Sequence, residues 1–341
     1  MSDTGDSSPR SGQSGKRVLG LDLGGTNIKV AVVEASPGTT PGIVYAHQGK
    51  TRAEEGPDAV TRRLTELGLE ALDRAGPVDG AGVGVPGLFD FHTGEVIFFT
   101  NLPGPWEGFP LRSRLADGLG VTVNLINDAR AFTLAEGTVG AGQGARTLAC
   151  LTLGTGIGGG LMIDGKLQFG AFGIAGELGH QTVAPGGPLC GCGNRGCLEA
   201  VARPPAIATA AGKETFEDVL DALAVGDRSS ADALANAAHY LGIGLANVIT
   251  MIGPDRIVIG GGVAKAGDLV FGPIREAVRS RLTLVPPEAV QIVPASLGAR
   301  AGAIGAGLSA IGSPVGDVEF MKGDIPSAQI RRIGSHDSGN D

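Results

Sequence analysis

The sequence predicts an α/β protein built as two lobes around a cleft. Three observations point there. Strand-like and helix-like runs alternate along the chain, a strand, glycine-rich turn and strand occur near its start, and the same theme reopens its second half. Alternation of this kind favours sheets with helices packed on their faces, and a repeated opening theme favours a duplicated fold. At 341 residues the chain is long enough for two cores and too long for one average domain.

The elements follow in order. Residues 1–16 are rich in Ser, Gly and Asp and read as a disordered tail. Residues 17–23 and 28–34 are β-rich runs separated by Gly24, Gly25 and Thr26, a hairpin signal. Residues 57–76 carry Val60, Leu64, Leu67 and Leu72 on one helical face. Residues 81–85 read as a buried strand ending at Pro86 and Gly87, and residues 121–126 as another, from which Asn127 and Asp128 open a helix to about Gly137. In the second half, strands at 147–153 and 159–163 flank a glycine-rich turn, and Asp164 with Gly165 makes a further hairpin turn. Helical patterns at 231–252 and 268–282 enclose a strand at 256–259 that runs into Gly260, Gly261 and Gly262. Residues 313–341 are mixed polar and read as a flexible tail.

The charge balance, 27 basic against 35 acidic residues for a net −8, argues against nucleic-acid and anionic-membrane partners. The first residues lack the apolar core of a signal peptide, and no apolar run approaches a membrane span. A cytoplasmic protein is therefore expected. Phosphate ligands stay compatible with the charge, because backbone N–H groups and helix N-termini bind anions locally.

Glycine is the compositional outlier, at 59 residues, and it falls in three clusters. Asp22 stands beside Gly24, Gly25 and Thr26. Glycine lets the backbone approach a phosphate, Thr offers a hydroxyl, and Asp can hold hydrated Mg²⁺; an ordinary hairpin turn reads equally well. Residues 154–160, with Thr155 and Gly156 at the turn, contain a formal G-x-G-x-x-G. The dinucleotide fingerprint needs a helix directly after it. Here residues 161–166 read as a strand and hairpin, so a β-turn-β phosphate clamp fits better. Residues 260–262 could lay a flat adenine or ribose against bare backbone, or could mark a close strand–helix crossing.

His180 is followed by Cys190, Cys192 and Cys197, the pattern H-x₉-C-x-C-x₄-C. Three thiols and an imidazole suit tetrahedral Zn²⁺. Four protein ligands leave no place for water, so such a site is structural, and it would pin the loop carrying Glu177, His180 and Glu199. Without an export signal, crowded thiols favour metal ligation over a disulfide framework. Asn127 and Asp128 sit at a strand's C-terminal end, a place suited to chemistry, although either could simply cap the following helix.

Together these residues resemble the ROK family of sugar kinases and related repressors, within the actin–hexokinase superfamily. The resemblance spans residues 17–312. The stretch from Leu153 through Gly170 and Gly176 to Gly179 and His180 matches the family signature, and residues 190–199, Cys-Gly-Cys-Gly-Asn-Arg-Gly-Cys-Leu-Glu, match its zinc motif. The resemblance implies a two-lobed actin/hexokinase-like, ribonuclease H-like fold. A small lobe would span 17–127 with a return helix at 297–312, and a large lobe 128–296 with a structural zinc loop. It implies Asp128 as catalytic base, Asn127, Glu177, His180 and Glu199 as sugar ligands, and Gly87 as a further sugar contact. Gly24, Gly25, Thr26, Thr155 and Gly156 would face phosphates, and Gly261 and Gly262 adenosine. The implied reaction transfers phosphate from ATP, with Mg²⁺, to the 6-hydroxyl of a hexose, glucose first. Other hexoses, N-acetylhexosamines and a polyphosphate donor compete with that reading, and a homo-oligomer, dimer or tetramer, is implied. The family's repressors carry a helix-turn-helix segment ahead of this core, and the 16 residues preceding it here are too few and too polar for one. One departure stands out: members often read Glu-Asn-Asp-Ala-Asn where this chain has Ile126, Asn127, Asp128, Ala129 and Arg130.

Overall fold

The computed structural model describes residues 15–36, 38–171 and 173–311. Most of both expected tails, and Gly312, lie outside the described residues. Lys16, read as tail, instead opens the first strand.

The first sheet begins with β1 (Lys16–Leu23), β2 (Asn27–Ala35) and β3 (Gly42–Lys50), joined antiparallel. Helix α1 (Pro57–Ala75) then crosses to β4 (Gly80–Val85), which pairs parallel with β1. A small two-stranded arm, β5 (Gly87–Phe89) and β6 (Val96–Phe99), and α2 (Leu111–Leu119) lead to β7 (Val123–Asn127). The strand order is β3-β2-β1-β4-β7. Helix α3 (Asp128–Val139) starts directly from β7.

The second sheet repeats the plan. β8 (Thr147–Leu153), β9 (Ile157–Ile163) and β10 (Lys166–Leu167) are antiparallel neighbours. Helices α4 (Leu198–Ala202), α5 (Pro204–Ala211), α6 (Phe216–Ala224) and α7 (Arg228–Ile252) precede β11 (Arg256–Gly261), which is parallel to β8. After α8 (Asp268–Arg279), β12 (Gln291–Pro294) closes the order β10-β9-β8-β11-β12, and α9 (Ala301–Ser309) ends the described chain. The expected helix at 268–282 thus stops at Arg279, and the expected strand at 159–163 begins two residues earlier.

Three cores follow from side-chain alternation along the strands. Leu19, Leu21 and Leu23 point to one face of β1 and pack with α1 and α2 residues such as Val60, Leu64 and Leu115. Ala149, Leu151 and Leu153 of β8 pack with α5, α7 and α8. The opposite faces, Val18 on β1 and Leu148 and Cys150 on β8, meet a middle layer made of α3 and α9.

That middle layer is tight because its contact residues are small. A Cβ on Gly82 of β4 would lie 1.7 Å from the Ala306 carbonyl oxygen, and one on Gly305 of α9 would lie 1.7 Å from the Ala131 carbonyl oxygen on α3. Backbone cannot yield that space cheaply. Gly305→Ala is therefore expected to destabilise by about 1–3 kcal/mol through overpacking. Thermal unfolding followed by circular dichroism checks this, and an unchanged melting temperature would contradict the close crossing.

Candidate active site

The alternation that buries Leu21 and Leu23 turns Asp22 to the middle layer, beside the start of α9. Burial raises the Asp22 carboxyl pKa, and Lys29 opposes the rise. Lys29 stands directly across the β1–β2 register, its Nζ donating to Asp22 Oδ2 at 3.1 Å. The turn beyond is braced by buried Thr51, whose hydroxyl donates to the Gly24 carbonyl at 2.6 Å and whose N–H donates to the Thr26 carbonyl at 2.9 Å. Gly25 and Thr26 are left exposed at the tip.

At the C-terminal end of β7 the two roles open in the sequence are divided between neighbours. Asn127 is the helix cap: its Oδ1 accepts from the Ala129 and Arg130 N–H groups at 3.1 and 3.3 Å. Its amide nitrogen donates to the Gly87 carbonyl at 3.4 Å. Gly87 has φ 141°, and a Cβ there would lie 2.2 Å from the Phe98 carbonyl oxygen, so only glycine fits. Asp128 takes one N–H, from Ala129 at 2.8 Å, and retains partial exposure. Its carboxyl pKa is pushed up to about 7, first by burial and then by the charge of Asp22, with Glu177 adding to the rise and Arg130 opposing it. A carboxylate of that pKa is poised to take a proton near neutral pH.

On the facing side, Glu177 precedes a short 3₁₀ turn, Leu178–His180. His180, Cys190, Cys192 and Cys197 converge, their ligand atoms all within 4.8 Å of one another. His180 Nδ1 lies 3.6 Å from Cys190 Sγ, and Cys192 Sγ lies 3.7 Å from Cys197 Sγ. Arms of about 2.3 Å to a tetrahedral metal give edges of roughly that length, so the four residues fit a metal ion. Glu199, in the first turn of α4, links this knot to the second glycine-rich turn. Its Oε2 accepts from the Ile157 N–H at 2.8 Å, and its Oε1 lies 3.5 Å from Cys190 Sγ. Gly156 packs against the same carboxylate, and Thr155 is exposed at the turn's tip.

The third glycine cluster splits by role. Gly260 packs under the Phe132 ring, a close strand–helix contact. Gly261 has φ 90° and pairs with Leu153 in the β8–β11 register, which sets this turn beside the phosphate-sized turn at residues 154–156. Gly262 is open and begins a 3₁₀ turn, Gly262–Ala266, ahead of α8. The helix expected from residue 268 begins there as α8, and the 3₁₀ turn fills the interval between it and the cluster.

The candidates therefore form two clusters. Asp22, Asp128 and Glu177 interact electrostatically, with Asn127 and Gly87 beside them; His180, Glu199 and the cysteines join to the 154–156 turn. Gly25, Thr26 and Gly262 make no hydrogen bond to the other candidates among the described residues. Sequence reasoning missed Lys29, Thr51 and the placement of Arg130, whose Nη2 lies 3.1 Å from Glu177 Oε1. Lys29 was within reach of it, because a four-residue hairpin turn after Leu23, residues 24–27, puts residue 29 opposite residue 22.

Two sheets of one plan that share a middle layer of α3 and α9 define an actin-like ATPase fold. The ROK family model matches residues 18–312, and the chain belongs to the ROK family. It is similar to a glucokinase of Thermotoga maritima, 37% identical over 309 residues that cover 85% of this chain and 96% of the relative. Among solved structures it resembles a ROK hexokinase from Thermus thermophilus, with a TM-score of 0.74 at 36% identity, covering 86% of this chain and 97% of the other. It also resembles a ROK family glucokinase from Streptomyces griseus in complex with glucose and AMPPNP. There the TM-score is 0.72 at 30% identity, covering 86% and 98%.

Proposed function

We propose that the protein is an ATP-dependent kinase that phosphorylates glucose at its 6-hydroxyl. The observation that carries this is Asp128, relieved of capping by Asn127 and held with a pKa of about 7 in a pocket of acids. The likeness to glucokinases over nearly the whole chain, one of them in complex with glucose and AMPPNP, supports both substrates.

Asp128 accepts the hydroxyl proton as the oxygen attacks the γ-phosphorus and ADP leaves. Phosphoryl transfer has a loose transition state, so positioning and charge stabilisation carry most of the catalysis. Mg²⁺ bound to the nucleotide supplies charge neutralisation, and Asp22 is the residue suited to hold its hydration shell. Gly24, Gly25, Thr26, Thr155 and Gly156 would cradle phosphates, and Gly261 and Gly262 would face adenosine. Asn127, Glu177, His180, Glu199 and Gly87 would hold the sugar. Zn²⁺ is the metal suited to His180, Cys190, Cys192 and Cys197, where it orders the loop and takes no part in the chemistry. The small lobe would span 17–127 with the return helix, and the large lobe 128–296. A cytoplasmic homo-oligomer completes the reading. No helix among the described residues is long and apolar enough to cross a membrane.

A coupled assay of ADP release against hexoses and N-acetylhexosamines tests this. Turnover fastest with glucose is expected; turnover with another sugar would correct the substrate, and none across the panel would overturn the kinase reading. The pH profile is a second check. A base must be deprotonated, and a carboxyl raised to about 7 is mostly protonated at pH 6. At saturating ATP, kcat/KM for glucose should fall about tenfold per pH unit below 7 and level off above it. An acid limb near the ordinary carboxylate range would mean that the raised pKa of Asp128 is not the one that governs turnover, and the Asp128→Asn variant would then decide its role.

A further inference from the structure

Arg130 lies two residues beyond Asp128 on the first turn of α3, and its side chain is 2% exposed. A guanidinium so buried is costly unless its charge and donors are met. The contacts that meet them come from one segment, and the Asp128 carboxylate adds counter-charge. Nη2 donates to the Gly173 carbonyl at 2.5 Å and to the Ala175 carbonyl at 3.3 Å, and pairs with Glu177 Oε1 at 3.1 Å. The guanidinium also lies over the Phe169 ring, 5.9 Å from its centroid. Nε is buried with no hydrogen-bond partner, so the side chain is aimed at this segment at the expense of its own satisfaction. Phe169 in turn meets Phe91, from the turn between β5 and β6, edge to face at 6.1 Å.

Glu177 is thereby held by one oxygen. Its side chain is 30% exposed, and among the described residues Oε2 takes no hydrogen bond.

We propose that Arg130 is a positioning residue that fixes Glu177, one carboxylate oxygen held from beneath and the other presented to a sugar hydroxyl in the cleft. This rests on the kinase reading above. A free glutamate must give up rotamer freedom when it binds a ligand; a carboxylate already paired to a buried cation has given it up beforehand, and the bound geometry costs less to reach. Because Arg130 and Asp128 share one helical turn, the same element sets the base and the sugar carboxylate relative to each other.

The test compares wild type, R130K, E177Q and the double variant, using glucose as the probe. R130K is expected to raise the glucose KM by about tenfold, with the ATP KM within about twofold, a split that general loss of structure does not produce. In the E177Q background the R130K effect should largely vanish, since coupled residues are non-additive. E177Q without sugar should melt about 3 °C or more below wild type, because a buried cation loses its counter-charge. A folded R130K with an unchanged glucose KM, or a double variant whose loss is the product of the singles, would overturn the proposal. If R130K does not fold, the E177Q melt decides, and an unchanged or raised melting temperature overturns it. A wild-type protein that turns over no hexose would overturn the kinase reading instead, and the E177Q melt would still judge the pairing.

Discussion

Replacing Asp128 by Asn is expected to lower kcat by about 10²–10⁴, the contribution of a general base, while glucose affinity stays within a few-fold. The geometry makes this a clean substitution. The helix is capped by Asn127, which keeps both of its N–H contacts. An amide at 128 can still accept the Ala129 N–H that now reaches Oδ1 at 2.8 Å. What is removed is the ability to take a proton, and with it the negative charge. The variant should also relieve repulsion with Asp22 and Glu177, both of which push the Asp128 pKa upward, so its melting temperature should not fall. Single-turnover kinetics check the first point and thermal unfolding the second; near-normal kcat would end the assignment of Asp128 as base.

Cys192→Ser should lose the bound metal and sugar binding together. With one thiolate gone, the knot keeps His180, Cys190 and Cys197, too few ligands for a closed structural site. Burial pushes the metal-free Cys190 thiol up to about 12, so a weakened metal must also compete with a proton there. Glu199 reaches the Ile157 N–H from this knot, and His180 ends the turn that follows Glu177. Loosening the knot therefore misplaces sugar-side and phosphate-side groups at once, for an expected loss of about 10²-fold in kcat/KM. Elemental analysis and a glucose titration check it, and chelation of the wild type should reproduce it. Full glucose affinity without metal would make the knot dispensable.

Local features were legible in the sequence and distant ones were not. The hairpin at Gly24, Gly25 and Thr26 and the cysteine spacing are written in a few consecutive residues and lie where the sequence puts them, whereas the turn within residues 154–160 is shorter than expected because β9 begins at Ile157. The opening of α3 was also legible, but whether Asn127 or Asp128 caps it depends on side-chain geometry that spacing does not carry. The packing of Gly305 against Ala131, the Arg130–Glu177 pair and the brace from Thr51 join residues far apart in the chain. Such pairings are fixed by how layers stack, which periodicity does not encode. Strand β3 went unread because most of its residues face solvent, which blurs the apolar alternation.

The position of α9 has a consequence for synthesis of the protein. The helix covers the inner face of a sheet whose first strand begins at Lys16, yet it is made of residues 301–309. At about 5–20 residues per second, a ribosome that has finished β7 at Asn127 needs roughly 9–36 s more to deliver α9 to Ser309. During that interval the nascent first sheet holds an apolar face, Val18, Ala31 and Val33 among it, that lacks α9 and has only α3 from its own layer beside it. Native closure of the early half thus waits for the late half, an order of assembly in which exposed apolar surface favours association between chains.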